Sequence, residues 1–157
     1  MQELSDCQNK FDKINVISSV LLHANNKIKI MHWNAQGIST KNAQVELAKF
    51  CNDNEIDLIL LNETFLNNSH SFKIPGFEIY RKDRGTQGGG VLIAVKQHIK
   101  HSLLNHVRTE IIENIAVELR VNNRRIVVIS AYNPKPSSHF LNDIQKLSSS
   151  FHKLELL

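Results

Sequence analysis

Cysteine is scarce in this chain: Cys7 and Cys51 are the only two in 157 residues. Two thiols so far apart form neither a disulfide framework nor the clustered ligand spacing of a zinc site, so both are expected to be reduced, with Cys51 in the core. Long apolar runs are missing as well. No stretch approaches the roughly eighteen uncharged apolar residues that span a bilayer. The N-terminal "MQELSDCQNKFDK" is acidic and polar where a secretory signal is basic and then apolar. These absences exclude an exported disulfide scaffold and a membrane-spanning helix, and set the expectation of a chain that is not secreted.

What is present suits one globular unit. With 41% hydrophobic residues the chain can bury one sizeable core and is too short for two comfortable domains. Its charge of +4 is uneven: residues 1–80 hold seven Lys/Arg against nine Asp/Glu, and residues 81–157 hold twelve against six. A basic half of this kind favours polyanions through phosphate contacts and counterion release.

Periodicity divides the chain. Phe11, Ile14, Ile17, Leu21 and Ala24 recur near a helical spacing and predict an amphipathic helix over 8–25, a leader over residues 1–26 ahead of a domain over 27–157. "KIKIMHW" alternates as a half-buried strand does. After Ser39 or Thr40, either able to cap, Ala43, Leu47, Phe50 and Cys51 predict a helix. "IDLILLNET" contains a continuous apolar run, the pattern of a strand covered on both faces. Phe77 and Ile79 mark a short strand ending at Tyr80. The basic, glycine-rich "RKDRGTQGGG" leads to a buried strand "VLIAV". "IAVELRV" and "RIVVISAY" meet across Asn122 and Asn123 as an antiparallel hairpin. Phe140, Ile144, Leu147 and Phe151 fall on one face of a last helix. This order predicts a mixed α/β layer architecture.

Three polar sites fall where apolar strands end: Asn34 after "KIKIMHW", Glu63 after "DLILLN", and Tyr132 with Asn133 after "RIVVISA". Ligands of α/β sheets gather at such ends. A carboxylate there suits a hard divalent cation, which takes one or two carboxylates plus water and phosphate oxygens. Neutral Asn34 and Tyr132 hydrogen-bond an anion without repelling it. Each also has an ordinary reading: Asn34 as a turn residue, Glu63 as a cap or a solvated side chain, Tyr132 as turn chemistry before Asn-Pro.

The blocks "IMHWNAQGI", "FCNDNEIDLILLNETFL", "IPGFEIYRKDRGTQGGGVLIAV" and "IVVISAYNPKP" resemble the successive opening blocks of the endonuclease/exonuclease/phosphatase superfamily. The resemblance covers about residues 27–150 and is closest to the apurinic-endonuclease-like branch at the N-terminus of jockey-type non-LTR retrotransposon proteins. It implies a four-layer α/β sandwich of the DNase I-like type, Mg²⁺-dependent phosphodiester cleavage, DNA as partner and a nuclear place of action. It implies that Asn34 contacts the active-site phosphate, that Glu63 of the "ET" motif binds the metal, and that Tyr132 approaches the scissile phosphate. Arg81, Lys82, Arg84 and Asn133 become candidate contacts to the DNA backbone, with a solvated basic loop as the ordinary reading of the first three. Gln36 departs from the acidic residue that repair members place two positions after this asparagine, which favours the retrotransposon branch.

The later blocks of that superfamily, "GDFN" and "SDH", do not occur. His139 and His152 sit in no matching motif and are not expected to substitute. The resemblance therefore implies an incomplete domain, the N-terminal half to two-thirds, inactive alone and part of a longer parent that supplies the remaining half or a reverse transcriptase. Half a sandwich is also expected to leave "LILL" and "VLIAV" exposed. The alternative is a non-catalytic basic module that binds nucleic acid without cutting it.

Overall fold

Alternating and continuous apolar stretches alike become strands in the computed structural model, which describes residues 15–21, 27–85 and 88–152, with side chains for 27–85 and 88–151. Strands β1 (Asn15–Leu21), β2 (Lys27–Asn34), β3 (Leu58–Asn62), β4 (Phe77–Lys82) and β5 (Val91–Lys96) form one sheet in the order β1-β2-β3-β5-β4. Strands β6 (His101–Leu103), β7 (Glu113–Val121) and β8 (Arg124–Tyr132) form a second in sequential order. Helix α1 (Lys41–Asp53) crosses from β2 to its parallel neighbour β3, and α2 (Phe140–His152) follows β8.

Period-two alternation sorts the core into three slabs, and hence the molecule into four layers. Met31, Trp33, Ile59, Leu61, Leu92 and Ala94 face α1, which returns Ala43, Leu47 and Cys51 from one helical stripe. Thr40 caps α1 by accepting the Ala43 N–H at 3.3 Å. The opposite face, with Ile28, Leu58, Val91, Ile93 and Val95, packs on Ile115, Val117 and Leu119 of the second sheet. The outer face of that sheet, with Ala116, Val127 and Ile129, takes Leu147 and Phe151 of α2. The fold is thus the DNase I-like α/β sandwich. Burial pushes the Cys51 thiol up to about 12, so it stays an inert core thiol.

Three expectations are corrected. The helix over 8–25 is overturned at residues 15–21, which run antiparallel to β2; the rest of that segment lies outside the described residues. The apolar spacing of four from Ile17 to Leu21 suits a strand's period of two as well as a helical turn. Ile17 pairs with Ile30 but Val20 with Ile28, so the strand carries one extra residue between them, a bulge. Second, β3 and β5 are not exposed, because the described residues already contain both sheets and both outer helices. Third, Phe140 and Ile144 are not on the packed face of α2: they stay exposed, and the buried place goes to Asp143. Its carboxylate accepts the backbone N–H groups of Glu110, Ile111 and Ile112 at 2.8 to 3.1 Å.

The β7–β8 hairpin turns at Asn122 and Asn123, with φ of 51° and 59°. Both lie in the left-handed region that a two-residue hairpin turn needs, and Asn tolerates it better than most residues. This turn sets the register that brings Glu113 opposite Tyr132 at the other end of the ribbon. β4 runs two residues past Tyr80, to Lys82, so the start of the basic stretch is strand rather than loop.

Candidate active site

The site is built by strand phase. Asn34 lies beside Asn62, Asn62 beside Val91 and Val91 beside Lys82, one row across the end of the first sheet. All four are in phase with residues that face the second sheet, so their side chains point into the gap between the sheets. Glu113 and Tyr132 form the matching rung of the second sheet, in phase with Ile115 and Val128.

Buried polar groups lock the two rows together. Asn62, 7% exposed, donates its amide to the Ala131 carbonyl at 3.2 Å, and Ser130 donates its hydroxyl to Asn62 Oδ1 at 3.1 Å. The same amide lies 3.1 Å from His32 Nε2. Burial pushes the His32 imidazole below its ordinary value, so it is neutral and its Nε2 accepts. Glu63 follows directly after this anchor. Its Oε1 accepts the Tyr132 hydroxyl proton, and its Oε2 accepts no hydrogen bond among the described residues. That bond, with burial added, pushes the Tyr132 hydroxyl up to about 12, which keeps it a donor throughout the neutral range.

Backbone strain concentrates here. Glu63 and Phe65 have φ of 52° and 53°, and Gln36 has 48°, in a region that non-glycine residues rarely adopt. Backbone bonds hold the turn: Gly37 N–H to Glu63 O at 2.9 Å, Ile38 N–H to Thr64 O at 3.0 Å, and Phe65 N–H to Gly89 O at 3.0 Å. The exposed Phe65 ring lies over Gly37 and Gly88. Glu113 fastens the glycine stretch from the other side. Its Oε2 accepts the Gly90 N–H at 2.6 Å and its Oε1 lies 2.7 Å from Arg84 Nε.

Gly90 needs its missing side chain. Its φ is +90° and an added Cβ would stand 2.5 Å from the Thr64 hydroxyl oxygen, whereas at Gly76, with φ of +79°, a Cβ meets nothing within 4 Å. Gly90→Ala is expected to destabilise the fold by about 2 kcal/mol or more and Gly76→Ala by about 1 kcal/mol. Urea denaturation midpoints check this, and equal losses would refute the close-packing role of Gly90.

The structure therefore gathers Asn34, Glu63, Tyr132, Lys82 and Arg84 at one end of the gap, with Asn133 exposed just beyond Tyr132. Arg81 does not join them. It is in phase with Phe77 and Ile79, which face α1, and its guanidinium donates to the carbonyls of His70 and Asn67 at 3.0 and 3.1 Å. Lys82 Nζ meets His106 Nε2; burial lowers its pKa and the Glu113 charge acts against that. Glu113, Asn62 and Ser130 went unread in the sequence, although each stands in phase with the buried face of its strand.

The profile of the Endonuclease/Exonuclease/phosphatase family matches residues 31–152. The chain is 27% identical over 122 residues to the RNA-directed DNA polymerase from mobile element jockey of Drosophila melanogaster. It is 35% identical over 85 residues to the probable RNA-directed DNA polymerase from transposon X-element of the same organism. These matches cover 76% and 52% of this chain but only 13% and 9% of the relatives. Among solved structures, the endonuclease domain of TRAS1, a telomere-specific non-LTR retrotransposon, superposes with a TM-score of 0.60 at 20% identity, over 79% of this chain and 53% of that one. An endonuclease/exonuclease/phosphatase family protein from Leptotrichia buccalis gives 0.54 at 15% identity, over 78% and 62%.

Proposed function

Since the chain belongs to the endonuclease/exonuclease/phosphatase family, we propose that it is the N-terminal portion of a Mg²⁺-dependent, DNA-nicking endonuclease of the retrotransposon kind, unable to cut DNA by itself. The observation that carries this reading is the hydrogen bond between Tyr132 and Glu63, which joins the ends of strands from the two sheets around one carboxylate. A hard cation fits that carboxylate. No group of three or more His, Cys, Asp or Glu gathers among the described residues, so the site lacks the closed ligand set of a structural zinc. Magnesium keeps several waters and needs only one or two carboxylates beside phosphate oxygens.

Glu63 would hold the ion through the oxygen that Tyr132 leaves open, and the bound ion would supply stabilisation of charge on the phosphate oxygens. Tyr132 fixes the carboxylate plane by donating to its other oxygen. Asn34, exposed at the strand end, offers an amide N–H to a phosphate oxygen, a donor that carries no charge. Arg84, held by Glu113, places a guanidinium near Tyr132 for the flanking backbone.

A supercoiled-plasmid assay in Mg²⁺ tests the reading. Residues 1–157 are expected to leave the plasmid intact, and a fusion that adds the remaining part of a TRAS1-type domain to convert it to open circles. Nicking by residues 1–157 alone would overturn the claim of incompetence, and a well-folded fusion that never nicks would overturn the nuclease reading. The second reading, a non-cutting nucleic-acid module, draws on the excess of twelve Lys/Arg over six Asp/Glu in residues 81–157. It is favoured if a salt-sensitive gel shift persists in a fusion that never nicks.

A further inference from the structure

His106, which meets Lys82 at the edge of the candidate active site, also lines a second concavity. This groove, of about 500 Å³, lies between residues 104–108 and the last turns of α2. Its walls carry Arg108, Lys146 and Ser150, and its floor is apolar, with Leu104 and Phe151. The 104–108 wall is held in place from below. The Asn114 side chain, 1% exposed, donates to Val107 O at 3.1 Å and to Thr109 Oγ1 at 2.8 Å. The Leu104 N–H donates to Ala116 O at 3.0 Å, and Asp143 clamps the three amides that follow.

The charges suit an anion. Arg108 is exposed and makes no ion pair among the described residues. Lys146 shares its charge with Glu110 at 3.0 Å and Asp143 at 3.7 Å, so Arg108 is the cation with most to gain. A guanidinium fork over a low-dielectric floor matches a phosphate in geometry and field, and the serine hydroxyl adds a neutral donor. A chain of neighbours links the groove to the strand ends: Glu113 holds Arg84, Lys82 lies within the field of Glu113, and Lys82 meets His106.

We propose that this groove seats a backbone phosphate of duplex DNA away from the scissile position, with Arg108 as its main contact. The proposal rests on the DNA-nicking reading above and adds a second point of attachment that orients the duplex across the gap.

Fluorescence anisotropy of a labelled duplex with the 157-residue chain, over a series of salt concentrations, tests it. Arg108→Glu is expected to weaken low-salt binding about tenfold and to flatten the log–log salt dependence by about one. Arg108→Lys should keep the slope. Arg124→Glu, the same charge change at the exposed hairpin end, should bind as the unaltered chain does. Equal losses in Arg108→Glu and Arg124→Glu would reduce the effect to net charge and overturn the groove, as would unaltered binding by Arg108→Glu, while leaving the nuclease reading intact. Absence of duplex binding by the unaltered chain would overturn the groove and leave the nuclease reading to the fusion assay. Inorganic phosphate, followed by amide shifts in residues 104–108, is expected to bind far more weakly than duplex; equal affinity would make this a free-phosphate site and sink the DNA assignment.

Discussion

Asp143→Ala is expected to lower the unfolding free energy by about 3 kcal/mol at neutral pH, from the loss of one buried acceptor that serves three backbone donors. The Asp143 side chain is fully buried and accepts the N–H groups of Glu110, Ile111 and Ile112. Removing it strands the buried Ile112 N–H and the part-buried N–H groups of Glu110 and Ile111, a large loss for a domain whose whole stability is on the order of 5–15 kcal/mol. Burial by itself would raise this carboxyl's pKa, but the three amide bonds and the Lys146 charge outweigh it and hold the group below the usual aspartate range. The contribution is therefore present above the unfolded value of about 3.9 and is lost as pH falls through the lower folded value. Urea titrations should show the gap between Asp143→Ala and the unaltered chain narrowing below about pH 4. Asn, whose amide N–H₂ would face the same donors, should rescue little. A neutral-pH loss under about 1 kcal/mol would show that water replaces the carboxylate there.

Glu63→Gln is expected to reduce plasmid nicking by the completed domain at least about 100-fold, because the amide keeps the size and loses the charge that a cation needs. The 157-residue chain offers an independent readout. It has two tyrosines, and both are pushed up to about 12, Tyr80 mainly by burial and Tyr132 mainly by its bond to Glu63. An ultraviolet titration should therefore show no phenol ionising near the ordinary value of about 10 in the unaltered chain, and Glu63→Gln should bring one phenol back toward it. The sign follows for stability. A phenol whose folded value is raised contributes below its unfolded value of about 10, and that contribution disappears as pH rises toward 12. Nicking that survives the substitution would remove Glu63 from the metal site, and an unshifted titration would detach it from Tyr132.

Much of this was legible because strands write their burial in alternate residues. "KIKI", "IAVELRV" and "RIVVISAY" declare their inner faces, and continuing the same phase to the strand ends puts Asn34 and Tyr132 in the gap. Glu113 carried the same signal, a carboxylate in step with Ile115, Val117 and Leu119. Its partners, Gly90 N–H and Arg84, are brought to it only by the tertiary fold, so no local motif announced it. The apolar stripe Phe140, Ile144, Leu147, Phe151 misled for a related reason. Burial of Asp143 depends on amides more than thirty positions earlier in the chain, as the 31-residue separation of Ile112 from Asp143 shows. The leader misled because a spacing of four, as from Ile17 to Leu21, fits the period of a strand as well as that of a helix, and the pairing with β2 that decides between them is tertiary.

The two asparagines at the tip of the β7–β8 ribbon act as the ratchet that times everything at its other end. Eight steps, about 27 Å of ribbon, separate Val121–Arg124 from Glu113–Tyr132. A single residue inserted into β8 just past that tip, touching nothing near the gap and not taken up as a bulge, would shift every later residue by one and swing the phenol to the outer side of its sheet. Glu63 would be left without its partner while most of the hydrophobic interior still had apolar groups to fill it. Tolerance to insertion is thus set by phase along the strand, and remoteness from the chemistry gives no protection.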